Sequence, residues 1–512
     1  MTAPVMTIGL FGMDAYTIQA ETDLSTGLPR FDVIGLPDAA VRESRDRISA
    51  AVRNCGYEFP LGRITINLAP ADVKKSGAGC DLAMLISLLI AASQLRPLER
   101  PCAFIGELSL TGEIRPVNGV LPMALHAAQA GLAALFVPSM NAPEASVVQG
   151  IPIYPVEHVK QLTAFLSGGA GLTPLEPLGG MPPAPFHPAP DFADVKGQQI
   201  CRRALEIAAA GGHNLLLIGP PGSGKSMLAK RIPSILPDMT FEEAVETTKI
   251  HSVAGLLPKG EPLITIRPFR APHHTISPAG LSGGGSIPRP GEISLAHNGV
   301  LFLDELPEFP RNVMEILRQP IEDGTVTISR VSGTLTYPCS IMAAAAMNPC
   351  PCGYYGHPTR ACTCPEGRVQ TYLNRVSGPL LDRLDLHVDA LPVEFESISS
   401  AEPGECSAAI KKRVEAARLI QRERYDGTGI RCNAGLTPGR LREDCPVSDQ
   451  GMQLLRNAFD RLGLSGRAYD RILKVSRTIA DLDGQEVIGA SHIAEAIQYR
   501  SLDRKYWRRE GS

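Results

Sequence analysis

Aromatic residues are scarce in this chain: they make up 5% of its 512 residues, and tryptophan occurs once. Recognition of a ligand by many stacked aromatic rings is therefore not expected. The longest mostly apolar run, residues 82–92, is far shorter than the ~20 residues that span a membrane. No basic segment precedes the apolar residues at the N-terminus, as one would in a secretory signal. These absences favour a cytoplasmic protein without a membrane partner.

A strong charge of either sign is lacking as well. The net charge of −3 excludes a protein that coats nucleic acid with a uniformly basic surface. Apolar residues make up 44% and charged residues 20% of the chain, which is the composition of a folded globular protein. Basic side chains nevertheless outnumber acidic ones after residue 400. This basic end is either a solvated helix end or a surface that faces a polyanion.

Seven prolines between residues 174 and 190 predict a semi-rigid linker, because such a segment forms neither a helix nor a central strand. Before it, strand and helix patterns mix. After it, apolar strands are followed by loops and helices, which favours a parallel α/β sheet. We predict four parts: an N-terminal α+β domain (residues 1–171), a linker (172–190), an α/β core (191–398) and a helical domain with a basic C-terminal end (399–512).

A phosphate-binding loop follows the apolar strand predicted at residues 214–219 and opens a helix. It fits the pattern G-x-x-x-x-G-K-[ST]. In that pattern backbone N–H groups surround phosphate oxygens, the lysine reaches the β- and γ-phosphates, and the hydroxyl ligates Mg²⁺. We expect ATP and Mg²⁺ to bind at eight residues, Gly219, Pro220, Pro221, Gly222, Ser223, Gly224, Lys225 and Ser226.

Two further predicted strands end in polar side chains. Asp304 ends the second buried strand and is predicted to hold Mg²⁺, while Glu305 beside it polarises the attacking water. The alternative is that these carboxylates cap the next element. Asn348 ends a third strand, where its amide either orients the same water or forms a turn before Pro349.

Three segments resemble the AAA+ ATPases of the magnesium-chelatase group: residues 219–226, residues 296–305 (AHNGVLFLDE) and residues 380–385 (LLDRLD). The chain resembles in particular the bacterial competence protein ComM family, whose members are similar to magnesium chelatase and to MCM helicases. It covers nearly the whole chain and includes FDVIGLPD at residues 31–38, APHHT at 271–275 and AEAIQYRSLD at 494–503. The resemblance implies an AAA+ core with a helical lid.

The resemblance also assigns Arg383, within the motif LDRLD. It matches the arginine finger that reaches the nucleotide of a neighbouring subunit, where a cation stabilises charge on the transferred phosphoryl group. A finger that acts between subunits implies a homo-oligomeric ring, usually a hexamer. The alternative is that Arg383 forms a salt bridge with Asp382 or Asp385.

Further nucleotide contacts are implied by the same resemblance. Arg467 matches the second sensor arginine of the lid, and Arg471 on the same helix face competes for that assignment. Val195, Gly197 and Gln198 precede the first helix of the core and match the adenine-side contact, through backbone groups more than side chains.

The N-terminal part carries a different resemblance. Residues 104–119 (FIGELSLTGEIRPVNG) look like the domain shared by Lon proteases and RadA, which has the ribosomal S5 domain-2-like fold. The resemblance places Gly77 where Lon peptidases have their nucleophilic serine, and Leu121 where they have the lysine of the Ser–Lys dyad. We therefore expect a structural or DNA-facing domain without a peptidase dyad. Lys75 and Ser76 lie near the serine position and leave an altered dyad open.

Residues 325–338 alternate on both sides of Ser332-Gly333, which is typical of a β-hairpin. The resemblance makes this hairpin one that points into the channel of the ring. Arg330 near its tip, and Arg270 in an earlier insertion at residues 268–291, are candidates for contacts with DNA phosphates. The alternative is a hairpin that only packs between subunits.

Twelve cysteines are unlike a disulfide framework in a chain of cytosolic character. Cys350, Cys352, Cys362 and Cys364 form the pattern C-x-C-x₉-C-x-C, with Cys339 and His357 as spare ligands. Four thiolates suit zinc, although zinc knuckles usually have C-x₂-C spacing. Structural Zn²⁺ and free thiols in a loop both remain open.

The sequence thus predicts an ATPase that couples hydrolysis to DNA translocation: a hexameric helicase or branch-migration motor in homologous recombination of DNA taken up during natural transformation. Its expected partners are single-stranded and branched DNA, other copies of the chain and recombination proteins. A magnesium-chelatase motor subunit, an ATPase that remodels proteins, and a residual peptidase are the alternatives. The N-terminal domain disfavours the chelatase alternative, because chelatase ATPase subunits are expected to lack it.

Overall fold

The computed structural model describes residues 4–169, 171–183, 190–285, 288–330, 333–392, 404–500 and 502–507, without the side chains of residues 330, 503 and 504. The chain forms two compact units. The first contains Met1–Ala184, Thr240–Thr265 and Pro288–Pro290, and the second contains Pro185–Met239, Ile266–Ile287 and Gly291–Ser512. Each unit has its own hydrophobic core.

A seven-stranded mixed sheet is the centre of the first unit. Its strands lie in the order Arg30–Ile34, Arg63–Ala69, Asp14–Ser25, Val5–Phe11, Cys102–Phe104, Ala134–Pro138 and Ile153–Val156. The last three pairings are parallel, and the hairpin of the third and fourth strands is antiparallel. A small antiparallel pair, Glu107–Leu108 with Ile114–Arg115, lies outside this sheet.

The helices of the first unit pack on this sheet or on one another. The helix Asp81–Ala91 is buried along almost its whole length, as its run of Leu, Ile and Met requires. The others are Ala39–Asn54, Val120–Gln129, Ala142–Ala145, Val159–Leu166 and, from a later part of the chain, Phe241–Ala254. The last helix begins with a capping box between Thr240 and Glu243.

A five-stranded parallel sheet forms the core of the second unit. The order is Phe269–Arg270, Val300–Leu303, Met342–Met347, Leu215–Ile218 and Leu386–Asp389. All four pairings are parallel, and the three central strands are completely buried. The carboxyl ends of these strands meet at one edge of the sheet, so loops that are distant in sequence converge there.

Helices cover this sheet, and further helices form the C-terminal part of the chain. Those of the core are Gln199–Gly211, Lys225–Ala229, Pro278–Ser282, Glu292–Leu295, Arg311–Ile316, Arg318–Asp323, Glu366–Leu373 and Gly378–Leu381. Thr325–Arg330 pairs with Gly333–Pro338 as an antiparallel two-stranded sheet. Gly283–Gly284 is a further short strand of this unit, and Arg289–Pro290 is a short strand of the first unit. The C-terminal part is helical, with Ser407–Arg424, Pro438–Asp444, Asp449–Leu462, Gly466–Leu482, Ala490–Gln498 and Leu502–Tyr506.

The predicted fold class is confirmed: an α/β protein with a parallel core sheet and a helical C-terminal part. One grouping differs from the simple division of the chain at the proline-rich linker. Residues 240–265 lie inside the predicted core segment, yet they pack with the first unit. Residues 184–189 of the linker and Arg508 and Arg509 of the basic end lie outside the described residues. Among the described residues, none of the helices combines the length and apolarity needed to cross a bilayer.

Candidate nucleotide-binding site

The loop at residues 219–226 joins a fully buried strand, Leu215–Ile218, to the helix Lys225–Ala229. Gly219 is pressed against the neighbouring backbone: a Cβ there would lie 2.2 Å from the carbonyl oxygen of Ala390. Gly222 and Gly224 have φ angles of +81° and +83°, which glycine adopts without strain. The loop therefore needs its glycines for close approach and for turning, as a loop that surrounds phosphate does.

Lys225 lies inside this loop and is 8% exposed. Its Nζ donates to the carbonyl oxygens of Gly219 (2.8 Å) and Pro220 (2.9 Å) and lies 3.3 Å from Oδ1 of Asn348. Burial lowers the pKa of the Lys225 ammonium, although Asp304 opposes that shift. The predicted lysine and the predicted Asn348 thus meet, because the Asn348 strand pairs with the loop's strand.

Ser226 and Asp304 also meet. The Ser226 hydroxyl donates to Oδ2 of Asp304 over 2.6 Å, and the carboxylate lies directly after the buried strand Val300–Leu303. A hydroxyl and a carboxylate are hard oxygen ligands, which Mg²⁺ prefers. The donor set therefore fits the magnesium ion expected with a nucleotide.

Glu305 is held in a strained conformation beside this pair. Its φ angle is +54°, its N–H donates to Oδ1 of Asp304 (3.0 Å), and its side chain is 58% exposed. Nδ1 of His274 lies 3.4 Å from Glu305 Oε2. Strain of this kind in a non-glycine residue is typical of functional sites.

The contact of His274 with Glu305 was missed from the sequence, where His274 was only part of an insertion. The order of the strands in the sheet is the information that would have predicted this contact. Phe269–Arg270 pairs in parallel with Val300–Leu303, so the segments after these two strands lie side by side. The His274 ring also contacts His273 (centroids 4.1 Å apart) and Phe309 (6.4 Å).

Arg383 has a partner within its own chain. It forms an ion pair with Glu322 and donates to the carbonyl of Pro379 (2.8 Å). Neither Asp382 nor Asp385 is the partner that is seen, although both were the expected alternatives. Asp385 instead pairs with Arg471.

The two lid arginines differ. Arg471 Nη1 lies 2.5 Å from Asp385 Oδ1. Burial opposes ionisation of Asp385, but Arg471, together with His213 and a backbone N–H, holds its pKa well below the usual range. Arg467 lies in the first turn of the helix Gly466–Leu482 and is exposed. Of the two, Arg467 is therefore the one whose guanidinium is accessible to a ligand.

The predicted adenine-side residues form a tight turn before the helix Gln199–Gly211. Gly197 and Gln198 have φ angles of +65° and +55°. The carbonyl of buried Val195 accepts from Arg202 (3.1 Å), and the amide of Gln198 donates to the carbonyls of Ser223 (3.0 Å) and Leu391 (2.6 Å). Gln198 thus ties this turn to the phosphate loop.

The predicted hairpin is present, with Thr325 paired to Pro338 and Arg330 to Gly333. Val331 and Ser332 at its tip lie outside the described residues, as does the side chain of Arg330. One face of the hairpin is buried, and the other exposes four hydroxyl groups in two cross-strand pairs, Thr327 with Thr336 and Ser329 with Thr334. Arg270, the other DNA candidate, is in a bidentate ion pair with Glu292 (2.6 and 2.7 Å).

The four clustered cysteines converge. Their sulfur atoms all lie within 4.8 Å of one another, and three of the Sγ–Sγ distances are 3.3, 3.5 and 3.7 Å. A tetrahedral zinc site with Zn–S bonds of ~2.3 Å has sulfur atoms about 3.8 Å apart. Burial raises the pKa of Cys350 to about 12. For Cys352, burial is outweighed by N–H donors of Tyr354 and Thr363 and by the adjacent thiols, and the pKa falls to about 5.

The residues at or near the peptidase positions of the first unit lie in different environments. Lys75 is fully buried, donates to the carbonyl of Pro70, and has a pKa lowered by burial. Ser76 is exposed. Leu121, at the place of the Lon lysine, donates its N–H to the buried carboxylate of Glu144 (3.2 Å).

Three family descriptions match the chain. "Magnesium chelatase, subunit ChlI" matches residues 191–398, "Subunit ChlI of Mg-chelatase" matches residues 20–141, and "Magnesium chelatase, subunit ChlI C-terminal" matches residues 404–500. A chelatase description therefore reaches the N-terminal unit as well. The presence of that unit does not separate a DNA motor from a chelatase subunit, contrary to the argument from the sequence.

Several curated proteins are similar over nearly their whole length. Competence protein ComM of Haemophilus influenzae is 44% identical over 96% of this chain and 96% of its own. YifB of Escherichia coli is 44% identical over 98% of this chain and 97% of its own. A shorter match is Lon protease 2 of Thermus thermophilus, which is 29% identical over 28% of this chain and 19% of its own.

These findings agree with the site. A glycine-rich loop, an acidic pair and an asparagine converge at the carboxyl edge of a parallel sheet, which is the arrangement that ATP hydrolysis with Mg²⁺ requires. The long, high-identity matches extend across both units and the helical C-terminal part. The chain belongs to the family of ComM and YifB, AAA+ ATPases related to subunit ChlI of magnesium chelatase.

Proposed function

We propose that the protein is an ATP-driven DNA motor, a helicase or branch-migration factor that acts in the cytoplasm on DNA taken up during natural transformation. The observation that carries the proposal is the 44% identity with competence protein ComM over almost the whole chain, together with the convergence of Lys225, Asp304 and Asn348 at one site. Recombination proteins are the partners that such a role implies.

In this proposal residues 219–226 surround the phosphates and Lys225 binds the β- and γ-phosphates. Ser226 and Asp304 hold the metal. Bound Mg²⁺-ATP supplies the phosphoryl group and neutralises part of its charge. Glu305 accepts the proton of the attacking water, and Asn348 orients that water. Val195 and Gly197 lie on the adenine side of the nucleotide, and Arg467 contacts the nucleotide from the helical C-terminal part.

His274 is a positioning residue for Glu305. The imidazole Nδ1 is 3.4 Å from the carboxylate, and the exposed glutamate has room to move. Holding one carboxylate rotamer near the nucleotide raises the fraction of chains that are ready for hydrolysis. The strand that leads to His274 also carries Arg270 and opens the insertion at residues 268–291, so this contact links the hydrolysis site to that insertion.

Arg383 acts as the finger of a neighbouring subunit in a ring, which we propose to be hexameric. Its ion pair with Glu322 and its bond to Pro379 are contacts of a single chain. The Glu322 side chain is 55% exposed, so water can solvate its carboxylate once it separates from Arg383, whose own side chain is only 15% exposed. Exchange of Glu322 for the phosphate of a neighbour is therefore energetically accessible on assembly.

The hairpin Thr325–Arg330 with Gly333–Pro338 is the proposed DNA contact. Its exposed face carries Thr327, Ser329, Thr334 and Thr336, and serine and threonine hydroxyls donate to DNA phosphates without reading sequence. Arg330 adds a cation at the end of its strand. Arg270 is a weaker candidate than Arg330, because a phosphate would have to displace both oxygens of Glu292.

Structural Zn²⁺ at Cys350, Cys352, Cys362 and Cys364 is part of the proposal. The sulfur atoms lie close to the spacing of a tetrahedral site. Four thiols this close without a metal leave at least two sulfur atoms in unfavourable contact once they ionise. Metal analysis of purified protein would give about one Zn per chain, and a value under about 0.2 would favour free thiols.

The decisive experiment uses labelled three- and four-strand DNA junctions, with the wild type and Lys225→Ala compared at equal concentration. We expect the wild type to move the branch point only with ATP, and DNA to stimulate its ATPase. A wild type that hydrolyses ATP but moves no branch point would contradict the DNA motor. A magnesium-chelatase subunit or a protein-remodelling ATPase would then be favoured, since neither requires stimulation by DNA.

Arg330→Ala and Arg270→Ala test where DNA binds. We expect Arg330→Ala to weaken DNA binding and DNA-stimulated ATPase, to reduce the salt slope of binding by about one, and to leave ATP binding unchanged. Arg270→Ala should have the smaller effect on DNA affinity. Unchanged DNA affinity in Arg330→Ala would remove the hairpin from the DNA path.

A further inference from the structure

The cysteine loop touches the phosphate loop directly. Gly353, one residue after Cys352, has a φ angle of +85°, and a Cβ built on it would lie 2.3 Å from Cδ and 2.7 Å from Cγ of Pro221. Real Cβ atoms are essentially never found that close. Only glycine therefore fits at this contact, and its Cα packs against the ring of a phosphate-loop proline.

The thiols fix the shape of the loop that makes this contact. The N–H of Tyr355 donates to Cys350 Sγ (3.3 Å), and the N–H of Gly353 donates to the Cys350 carbonyl (2.9 Å). The N–H of Cys364 donates to Cys362 Sγ (3.4 Å) in the same way. N–H groups that donate to sulfur commonly surround a metal held by thiolates and orient those thiolates. Gly353 is thus positioned from both sides by the cluster.

The phosphate loop is expected to depend on contacts that restrict its backbone. Two of its glycines have positive φ angles, and glycine-rich backbone gains the most conformational entropy when it is not held. The same chain segment supports the loop a second time, since Asn348, two residues before Cys350, contacts Lys225. The contact of Asn348 with Lys225 and the contact of Gly353 with Pro221 both involve the segment 348–353. The thiols of Cys350 and Cys352 hold the end of this segment.

We propose that the cysteine cluster, loaded with Zn²⁺, braces the phosphate loop through the contact of Gly353 with Pro221, so that nucleotide affinity depends on the metal. The inference rests on the proposed nucleotide and zinc sites, and it assigns the zinc a regulatory position. Loss of the metal frees the loop at residues 350–364, and the contact of Gly353 with Pro221 is then lost. The phosphate-binding N–H groups become disordered as a result. The metal thus acts without touching the nucleotide.

The test compares two alanine substitutions in the full-length protein. Gly353→Ala introduces a Cβ at a positive φ angle and against Pro221. Gly356→Ala introduces one at a similar φ of +72°, where the nearest atom is Lys505 Cε at 3.7 Å. Both variants keep all four cysteines, so both should retain the wild-type zinc content by metal analysis. The measurement is binding of a fluorescent ATP analogue (mant-ATP) at fixed Mg²⁺.

We expect Gly353→Ala to bind mant-ATP about tenfold more weakly than Gly356→Ala, as overpacking of a tight contact does. Equal affinity of the two variants, with zinc retained, would overturn the brace. If Gly353→Ala loses its fold, the double variant Gly353→Ala with Pro221→Ala decides. It removes Cδ and Cγ and leaves the added Cβ at 3.6 Å from the backbone nitrogen. Affinity should then return to that of Pro221→Ala alone, and a failure to recover would overturn the contact.

A second arm tests the metal. Cys352→Ser with Cys362→Ser should lose zinc and bind mant-ATP more weakly, at a temperature where circular dichroism reports folded protein. Unchanged affinity after zinc loss would overturn the dependence on metal. Failure of the inference differs from failure of the proposed function: a wild type that binds no mant-ATP contradicts the nucleotide site itself, whereas normal binding in every variant contradicts only the brace.

Discussion

The two units contain the same dipeptide in different settings, Lys75-Ser76 and Lys225-Ser226. Both lysines are buried, and burial lowers the pKa of both. Lys75 donates to the carbonyl of Pro70, and Ser76 is exposed. The Lys225 ammonium lies inside a glycine-rich loop, and Ser226 donates to Asp304. The dipeptide has no function of its own, because the surroundings decide what the two side chains face.

The backbone around each pair explains the difference. Lys225 and Ser226 begin a helix that follows a strand of a parallel sheet, so they lie at the edge where other strands deliver Asp304 and Asn348. Lys75 and Ser76 precede Gly77 and a single turn of 3₁₀ helix at Ala78–Cys80. That turn leads into the buried helix Asp81–Ala91, and the backbone of Lys75 forms a bridge with Pro37.

The largest expected effect is that of Lys225→Ala. Loss of the ammonium that binds the β- and γ-phosphates should lower kcat/KM for ATP by about 10²- to 10³-fold. The measurement is steady-state ATPase with coupled detection of phosphate. Because Lys225 is also buried and donates to two carbonyls, the rate is given per folded chain, with the folded fraction taken from circular dichroism. Near wild-type hydrolysis would show that Lys225, like Lys75, is only a structural lysine.

Lys75→Ala should have the opposite profile. A fully buried side chain is removed and the Pro70 carbonyl loses its donor, so we expect the free energy of unfolding to fall by about 2–4 kcal/mol. ATP hydrolysis by the folded fraction should be unchanged. Urea unfolding, monitored with probes in each unit, measures the free energy of unfolding. ATPase activity per folded chain measures the rate of hydrolysis. A loss of kcat would contradict the separation of the two lysines.

The pH dependence sharpens this contrast. Because burial lowers the pKa of Lys75 in the folded protein, the unfolded chain binds more protons between that lowered pKa and the ordinary value of 10.5. The stability contribution of this group therefore rises with pH across that window and is constant below it. Lys75→Met lacks the titration. The stability of the wild type relative to Lys75→Met should increase as the pH approaches 10.5, measured by urea unfolding.

The serines form a matched pair of smaller effect. Ser226→Ala removes a hydroxyl that is bonded to Asp304 and is proposed to ligate Mg²⁺, and we expect ATPase at limiting Mg²⁺ to fall about 30-fold. Excess Mg²⁺ should restore part of the rate. Ser76→Ala changes an exposed side chain and should alter neither ATPase nor stability. Casein cleavage by the wild type that disappears in Ser76→Ala would instead support a residual peptidase.

Among the variants of the nucleotide site compared above, His274→Ala should have the smallest effect. Without the imidazole, Glu305 samples more rotamers, so kcat should fall about tenfold while mant-ATP affinity and KM stay near the wild-type values. His274→Gln keeps a hydrogen-bonding group and should recover part of kcat. A change in KM alone, with kcat unchanged, would contradict the positioning role.

Much of the nucleotide site could be predicted from local sequence. The pattern at residues 219–226, the apolar strand before it and the acidic pair at the end of another strand are contiguous signals, because each depends on a few neighbouring residues. The hairpin at residues 325–338 and the helical C-terminal part were also predictable, since alternation and helical periodicity are local. Each of these elements is present where the pattern indicated it.

Contacts between distant segments could not be predicted in this way. The ion pairs of Arg383 with Glu322 and of Arg270 with Glu292, and the approach of His274 to Glu305, join residues 22–61 positions apart. Charge patterning gave no partner for any of them. The packing of residues 240–265 with the first unit is a further example, because the residues of a helix do not indicate which distant segment will cover it.

The sequence by itself determined which chemical groups this protein has for binding a nucleotide, because a phosphate loop is defined by backbone freedom at glycines and by one lysine and one hydroxyl in succession. The tertiary structure decided which groups face one another. Parallel strand order brought Asn348 to Lys225 and His274 to Glu305, and close packing placed Gly353 against Pro221. The physical reason is that side-chain contacts across a sheet depend on strand order and register, which the linear spacing of residues does not encode.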